Sequence, residues 1–306
     1  MAEISAKLVA DLRKQTGCGM MDCKYALKDA NGDFEAAVKL LREKGMAATA
    51  KKADRIAAEG LVDIMTIGNV TAMVEVNSET DFVAKNAIFQ QFVKTVLATI
   101  IENKPKDVEA LLACTVAGGT TTVSAELAEH TYKIGEKLSI RRFVVVEGVV
   151  STYIHGIGNT GVIVSFETDC QEKDGFAECA KNVALQVAAM PVAYLDKASV
   201  PEAVLAEEKN ILIKQMQQDP KMANKPQAVL EKIVEGKLGK FYENNCLLEQ
   251  AYVKDDSMSV GKYVQSVANT LGGSIKVIGF IRYDKGEGIE KREDDLAAEV
   301  AKMVNG

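Results

Sequence analysis

The hexapeptide Gly156-Ile157-Gly158-Asn159-Thr160-Gly161 has the Gly-x-Gly-x-x-Gly spacing of a dinucleotide-binding loop. That chemistry requires the loop to follow a strand and open a helix, so that pyrophosphate meets the helix N-terminus. Residues 162–166 read as a strand instead, so the spacing describes a hairpin turn. His155 sits beside the first turn glycine, but no serine or cysteine nucleophile pairs with it by sequence. The triplets Glu79-Thr80-Asp81 and Glu167-Thr168-Asp169 offer carboxylates in pairs. Acids at strand ends more commonly cap the following helix, and some capping is expected of Asp81 and Asp169. Neither a Gly-Lys-Ser/Thr phosphate loop nor a Gly-x-Ser-x-Gly elbow occurs. Cys18, Cys23, Cys114, Cys170, Cys179 and Cys246 form no Cys-x-x-Cys pair, and the histidines are only His130 and His155. A zinc site is not expected from that set. Covalent catalysis is disfavoured; no cofactor and no metal are expected, and the chain reads as a non-enzyme.

A different kind of site is suggested by Asn77-Ser78-Glu79-Thr80-Asp81-Phe82-Val83-Ala84-Lys85-Asn86. It follows an apolar strand-like run and precedes an amphipathic helix. Phenylalanine at a polar loop tip forgoes burial worth roughly 1.5–3 kcal/mol unless something receives it. Either the fold tucks Phe82 inward or another protein supplies the pocket. An internal repeat bears on the choice. Gly68-Asn69, Glu79-Thr80-Asp81 and a helix recur as Gly158-Asn159, Glu167-Thr168-Asp169 and a helix, but the position of Phe82 is taken by Cys170. A residue needed only to pack the repeat would be expected in both copies, so Phe82 is read as functional.

The elements around these residues read as α+β. Residues 1–45 read as three short helices, and residues 46–58 as a helical connector. Ser5 caps the first, Asn31-Gly32 ends the second, Asp33 caps the third, and Gly45 is expected just past its end. Met20 and Met21 read equally as core or as adaptable contact residues. Residues 60–66 and 70–76 flank a hairpin turn. A helix follows at 87–102, helical sequence with a break at 118–122 spans 106–138, and a strand is expected over 141–150. Residues 152–155 and 162–166 make a second hairpin, followed by a helix at 175–190. Residues 195–252 read as an antiparallel helical hairpin, opened by a Ser199/Glu202 capping box and turning at 218–226. A helix at 259–271, a strand at 274–283 and a short helix at 294–304 complete the chain. The expected organisation is an N-terminal module (1–55), a core N-subdomain (56–148), a core C-subdomain (149–194 and 253–287), the helical hairpin (195–252) and a C-terminal module (288–306).

Composition narrows the function. The 306 residues are 47% hydrophobic and 26% charged, as in ordinary globular chains. A net charge of −6 argues against a broad nucleic-acid surface, which needs clustered lysine and arginine. Residues 1–55 nevertheless hold eleven Lys/Arg against eight Asp/Glu, which suits either a solvated face or docking to an acidic partner. No apolar run approaches the ~20 residues of a membrane span, and no signal-peptide pattern opens the chain. Scattered cysteines suggest a reducing cytoplasm.

Several motifs together resemble the bacterial elongation factor Ts family. They are Thr16-Gly17-Cys18-Gly19-Met20-Met21-Asp22-Cys23-Lys24, Thr80-Asp81-Phe82-Val83-Ala84-Lys85-Asn86, Lys133-Ile134-Gly135-Glu136, Tyr153-Ile154-His155-Gly156 and Gly279-Phe280-Ile281-Arg282-Tyr283. Ser78 stands where the family often has cysteine, and Gln186 where it often has histidine. The resemblance implies a ubiquitin-associated-like N-terminal module and a guanine-nucleotide exchange factor whose partner is the GTPase elongation factor Tu. It further implies that Thr80, Asp81, Phe82 and Val83 wedge into the partner, displace Mg²⁺ and disturb its phosphate site, with Met20, Met21 and His155 as further contacts. A homodimer and a 2:2 complex both stay open.

Overall fold

Ser5 Oγ accepts the Leu8 N–H at 3.2 Å and starts α1 (Ala6–Thr16). In this computed structural model, residues 4–16, 18–218 and 227–290 are described. They divide into two compact units. One runs to Val145 and includes Gly156–Asn159 and the residues from Tyr283 onward; the other comprises Val146–His155 and Thr160–Arg282.

In the first unit, α2 (Met20–Asp29) and α3 (Phe34–Lys51) complete a three-helix bundle with α1. Leu12, Cys23, Ala26, Leu27, Ala37 and Leu41 fill its core. Asn31 and Gly32 take positive φ at the turn, and Asp33 Oδ1 accepts the Ala36 N–H at 3.0 Å. Gly45 does not end α3 as expected but lies within it, buried. A Cβ there would stand 3.2 Å from the Ala128 carbonyl oxygen, so the glycine allows close packing on α7 (Val123–Ile134). The alanine-rich sequence beyond it carries the helix on to Lys51.

β1 (Glu59–Ile67) and β2 (Val70–Ser78) pair antiparallel around Gly68-Asn69, with Gly68 at φ +63°. A short helix, α4 (Asp81–Ala84), leads to α5 (Ala87–Asn103). α6 (Val108–Ala113) and α7 follow, and β3 (Ser139–Glu147) completes a sheet of order β1-β2-β3. Val74, Val76, Phe89, Phe92, Val96, Leu97 and Ile100 are buried between sheet and helices.

The second unit repeats the plan. β4 (Val149–His155) and β5 (Thr160–Thr168) pair antiparallel, α8 (Phe176–Ala189) packs on them, and a late strand joins β5. The strand expected over 141–150 is in fact two strands. Gly148, at φ +104°, separates β3 from β4, a conformation that L side chains rarely adopt. Between α8 and the late strand lie α9 (Glu202–Gln218), α10 (Gln227–Asn245), β6 (Ala251–Tyr252), β7 (Asp255–Ser259) and α11 (Val260–Leu271). The late strand is β8 (Ile275–Asp284).

α9 and α10 pack through Leu212, Met216, Val234 and Leu238. The capping box falls elsewhere than expected. Asp196 and Ser199 cap each other across a 3-10 turn, because the Ser199 hydroxyl and N–H both turn back to Asp196 rather than forward to Glu202. The expected turn at 218–226 lies almost wholly outside the described residues, and the expected helix at 294–304 wholly so. The architecture is α+β.

Candidate functional site

Thr80, Asp81, Phe82 and Val83 form one continuous feature at the end of β2. Thr80 takes extended backbone at the N-cap of α4. Its side chain does not cap that helix. The Thr80 hydroxyl donates to Glu136 Oε1 at 2.6 Å, and the Thr80 N–H donates to Glu136 Oε2 at 2.9 Å. The Thr80 carbonyl accepts the Ser78 hydroxyl at 2.9 Å. Glu79 returns the arrangement: its Oε1 accepts the Lys137 N–H at 2.6 Å and lies 3.2 Å from Arg55 Nη1. Lys137 Nζ in turn donates to the carbonyls of Ala53 and Arg55 at 2.6 and 2.7 Å. Two short segments, 79–80 and 136–137, are thus lashed by carboxylate–backbone bonds in both directions.

α4 turns two faces to different surroundings. Val83 and Ala84 are buried, and Val83 joins the core with Phe89 and Phe92. Asp81 is exposed, and Phe82 is 77% exposed. Phe82 is therefore not sealed inside its own chain. Lys85 Nζ stands 3.6 Å from Asp81 Oδ2 and 5.9 Å from the Phe82 ring centroid, both solvent-facing contacts of small worth. Asn86 Oδ1 accepts the Ile88 N–H at 2.8 Å and starts α5 directly after.

The capping expected of the two aspartates is not found. Asp81 is the first residue of α4 and makes no side-chain cap. Asp169 lies well before α8, whose N-cap is Gly175, and its Oδ1 accepts the Ser274 N–H at 2.7 Å. That hydrogen bond, with one from Cys170, holds the Asp169 carboxyl below its ordinary value. In this second copy of the repeat the residue matching Phe82 is turned inward: Cys170 is fully buried among Val164, Phe166 and Phe176.

The remaining sequence candidates lie on other elements. Met20 and Met21 are both exposed in the first turn of α2, outside the bundle core, and Tyr25 is exposed one turn on. Tyr132 of α7 packs against the bundle core, and burial together with the Asp22 carboxylate pushes its hydroxyl pKa upward. His155 ends β4 in the second unit, exposed, with Nδ1 3.1 Å from the Tyr153 hydroxyl. His130 is half-buried: it stacks on Phe92 at 4.6 Å, and burial lowers its pKa. The Gly-x-Gly-x-x-Gly segment is a hairpin turn between His155 and Thr160. Gly158, at φ +72°, accepts the Val62 N–H on its carbonyl oxygen at 2.8 Å, and a Cβ there would fall 2.6 Å from Leu61 Cβ. Gly158 thus serves close backbone approach, and β5 rather than a helix follows the turn.

A second polar centre sits on β2. Glu75 is fully buried and accepts Arg141 Nη1 at 3.0 Å, Arg142 Nε at 2.7 Å, Asn77 Nδ2 at 3.0 Å and the Gly286 N–H at 2.8 Å. Burial pushes its carboxyl up, but these hydrogen bonds outweigh burial and hold it below the usual range. Among the described residues no group of three or more His, Cys, Asp or Glu is placed to hold a metal ion, and no helix is long and apolar enough to cross a membrane.

A family model described as elongation factor TS matches residues 79–287. The elongation factor Ts of Syntrophotalea carbinolica is 44% identical over 305 residues, covering 99% of each chain. That of Clostridium kluyveri is 45% identical over 309 residues, again covering 99% of each. The chain belongs to the elongation factor Ts family. It is thereby a translation elongation factor. Within this member of the elongation factor Ts family, the residue that sequence reasoning left without a role is Glu136, which together with Ser78 holds Thr80 from three sides. A signal for Glu136 was present. An acid directly after Gly135, the C-cap of α7, sits where the helix dipole favours a cation, so another interaction is needed to account for it.

Proposed function

We propose that the protein binds the GDP-bound GTPase elongation factor Tu and promotes release of GDP and its replacement by GTP. The observation that carries this reading is the 77% exposure of Phe82 on a short helix whose other face is anchored in the core. A GTPase holds its nucleotide through Mg²⁺ and a phosphate-binding loop. Asp81 and Phe82 enter between elements of the partner's nucleotide domain, displace groups that support Mg²⁺ and disturb the phosphate site. No covalent bond forms or breaks. By linkage, exchange factor and nucleotide weaken each other's binding by the same factor, so incoming GTP expels the factor.

Met20 and Met21 present an apolar, adaptable surface on the N-terminal bundle and anchor the complex there. His155 supplies a further contact from the second unit. The modules expected from the sequence divide these tasks, and the work is done in the cytoplasm, where the GTPase acts. A stopped-flow assay tests the reading: fluorescent GDP is loaded on a bacterial elongation factor Tu and its release is followed with and without this protein. The expected result is release accelerated in proportion to added protein until saturation. Binding without acceleration would mark a scaffold and refute the exchange reading.

A further inference from the structure

We propose that Glu136 is a positioning residue for exchange, acting through Thr80 to hold Asp81 and Phe82 in the presented orientation. The inference rests on the exchange reading above and adds the device that sets the wedge.

A four-residue helix has too few internal bonds to fix its own direction. An N-cap threonine ordinarily ties such a start by accepting an N–H of the first turn. Here the Thr80 hydroxyl is drawn away, and both it and the Thr80 N–H donate to the two oxygens of Glu136 at 2.6 and 2.9 Å. Charge-assisted bonds of that length are among the stronger ones available to a loop. The Ser78 hydroxyl fixes the Thr80 carbonyl, and Glu79 to Lys137 N closes the reciprocal arm. Thr80 is thus held at its N–H, hydroxyl and carbonyl immediately before the exposed pair.

The second copy of the repeat is a built-in control. There the matching threonine, Thr168, donates its hydroxyl to the Ser274 carbonyl at 2.7 Å, and Asp169 accepts the Ser274 N–H. In both copies the loop is tied to the segment just before the sheet's third strand, β3 or β8. In the second copy the ties are to backbone, Gly273 leaves no room for a Cβ beside Cys170 Sγ, and Cys170 folds inward. In the first copy a glutamate side chain does the tying, and Phe82 points out. Loop carboxylates reach the backbone before the third strand in both copies, so the difference that accompanies presentation is the carboxylate on that segment itself, Glu136.

The test uses the full chain as wild type, Glu136→Ala, Phe82→Ala and the double variant. Release of fluorescent GDP from elongation factor Tu is measured over a range of factor concentrations. Glu136→Ala is expected to lower the saturating release rate about tenfold, with less than about threefold change in the half-saturating concentration. The double variant is expected to be slower than Phe82→Ala by much less than tenfold, since Glu136 acts only through the presentation of Asp81 and Phe82. Glu136→Gln, which keeps an acceptor for the Thr80 N–H, is expected to recover part of the rate. A wild-type saturating rate for Glu136→Ala overturns the proposal, as does a double variant slower than Phe82→Ala by the full factor. Should Glu136→Ala fail to fold by circular dichroism, Thr80→Ala removes the hydroxyl arm alone, and a wild-type rate there overturns the proposal equally. A wild-type rate for Phe82→Ala brings down the exchange reading and this one together, whereas a Phe82→Ala defect beside a wild-type Glu136→Ala rate brings down the clamp alone.

Discussion

Phe82→Ala separates the finger from the fold that carries it. Full burial of a phenylalanine side chain contributes about 3 kcal/mol. With 77% of the residue exposed, the free chain realises about a quarter of that, leaving about 2.3 kcal/mol to be gained in a partner. At about 1.4 kcal/mol per factor of ten, this limits the contribution of Phe82 to GDP release to roughly fiftyfold. The same arithmetic gives a loss of folding stability below about 1 kcal/mol, since so little of the ring is buried at home. Stopped-flow release of fluorescent GDP at saturating factor is therefore expected to slow up to about fiftyfold, while the thermal midpoint of the free protein barely moves. Only contacts made more strongly during release than in the initial complex accelerate it. If the ring were equally buried throughout, the half-saturating concentration would rise and the saturating rate would hold. An unchanged saturating rate, or a collapsed melting transition, refutes the reasoning.

Further outcomes are expected of three variants and of the wild type. Met20→Ser with Met21→Ser removes exposed side chains and leaves the bundle core intact, so affinity for elongation factor Tu in calorimetry should fall while the thermal midpoint holds. Glu75→Gln removes a buried carboxylate from Arg141 and Arg142 and should cost about 3 kcal/mol in denaturant unfolding at neutral pH. Because the folded pKa of Glu75 is depressed, its contribution is fully present above the ordinary value of 4.5 and is lost as pH falls through the folded value. The stability gap between wild type and this variant should therefore close in acid, below that ordinary value. Gly158→Ala forces a Cβ against Leu61 and Val62 at positive φ and should destabilise by more than about 1 kcal/mol. Wild-type protein should meanwhile show no dinucleotide binding by calorimetry.

Periodicity and turn residues made most elements legible. The alternation at 60–66 and 70–76 with Gly68-Asn69 between them, the repeat at Gly158-Asn159, and the caps at Ser5 and Asp33 are local signals, and local hydrogen bonds answer them. The misreadings have separate causes. Gly45 reads as a helix end until α7 is beside it, and nothing near it in sequence announces Ala128. The run from 141 to 150 reads as one strand because Gly148 is tolerated in a strand pattern, whereas its φ is not. Asp81 and Asp169 read as caps because their positions suit capping. Their true partners, Lys85 for one and Ser274 for the other, include a residue 105 positions away. The site was legible as a residue type out of place, a phenylalanine among polar neighbours. Its supports were not, since Glu136 lies 56 residues from Thr80.

The comparison of the two repeats explains why a duplicated core can do something that neither copy does by packing alone. Each copy needs its strand-to-helix loop tied to the segment before the third strand of its sheet, because backbone groups on one side or the other of that junction must be satisfied. The second copy meets that need with Asp169 and Thr168 on Ser274, and the next side chain, Cys170, completes the core. The first copy meets it with Glu136 on Thr80, while Val83 rather than Phe82 enters the core. Moving the anchoring side chain one place along frees the residue between Asp81 and Val83 from any duty in folding. That is the physical condition for Phe82 to remain exposed at small cost to stability and to be available to a partner.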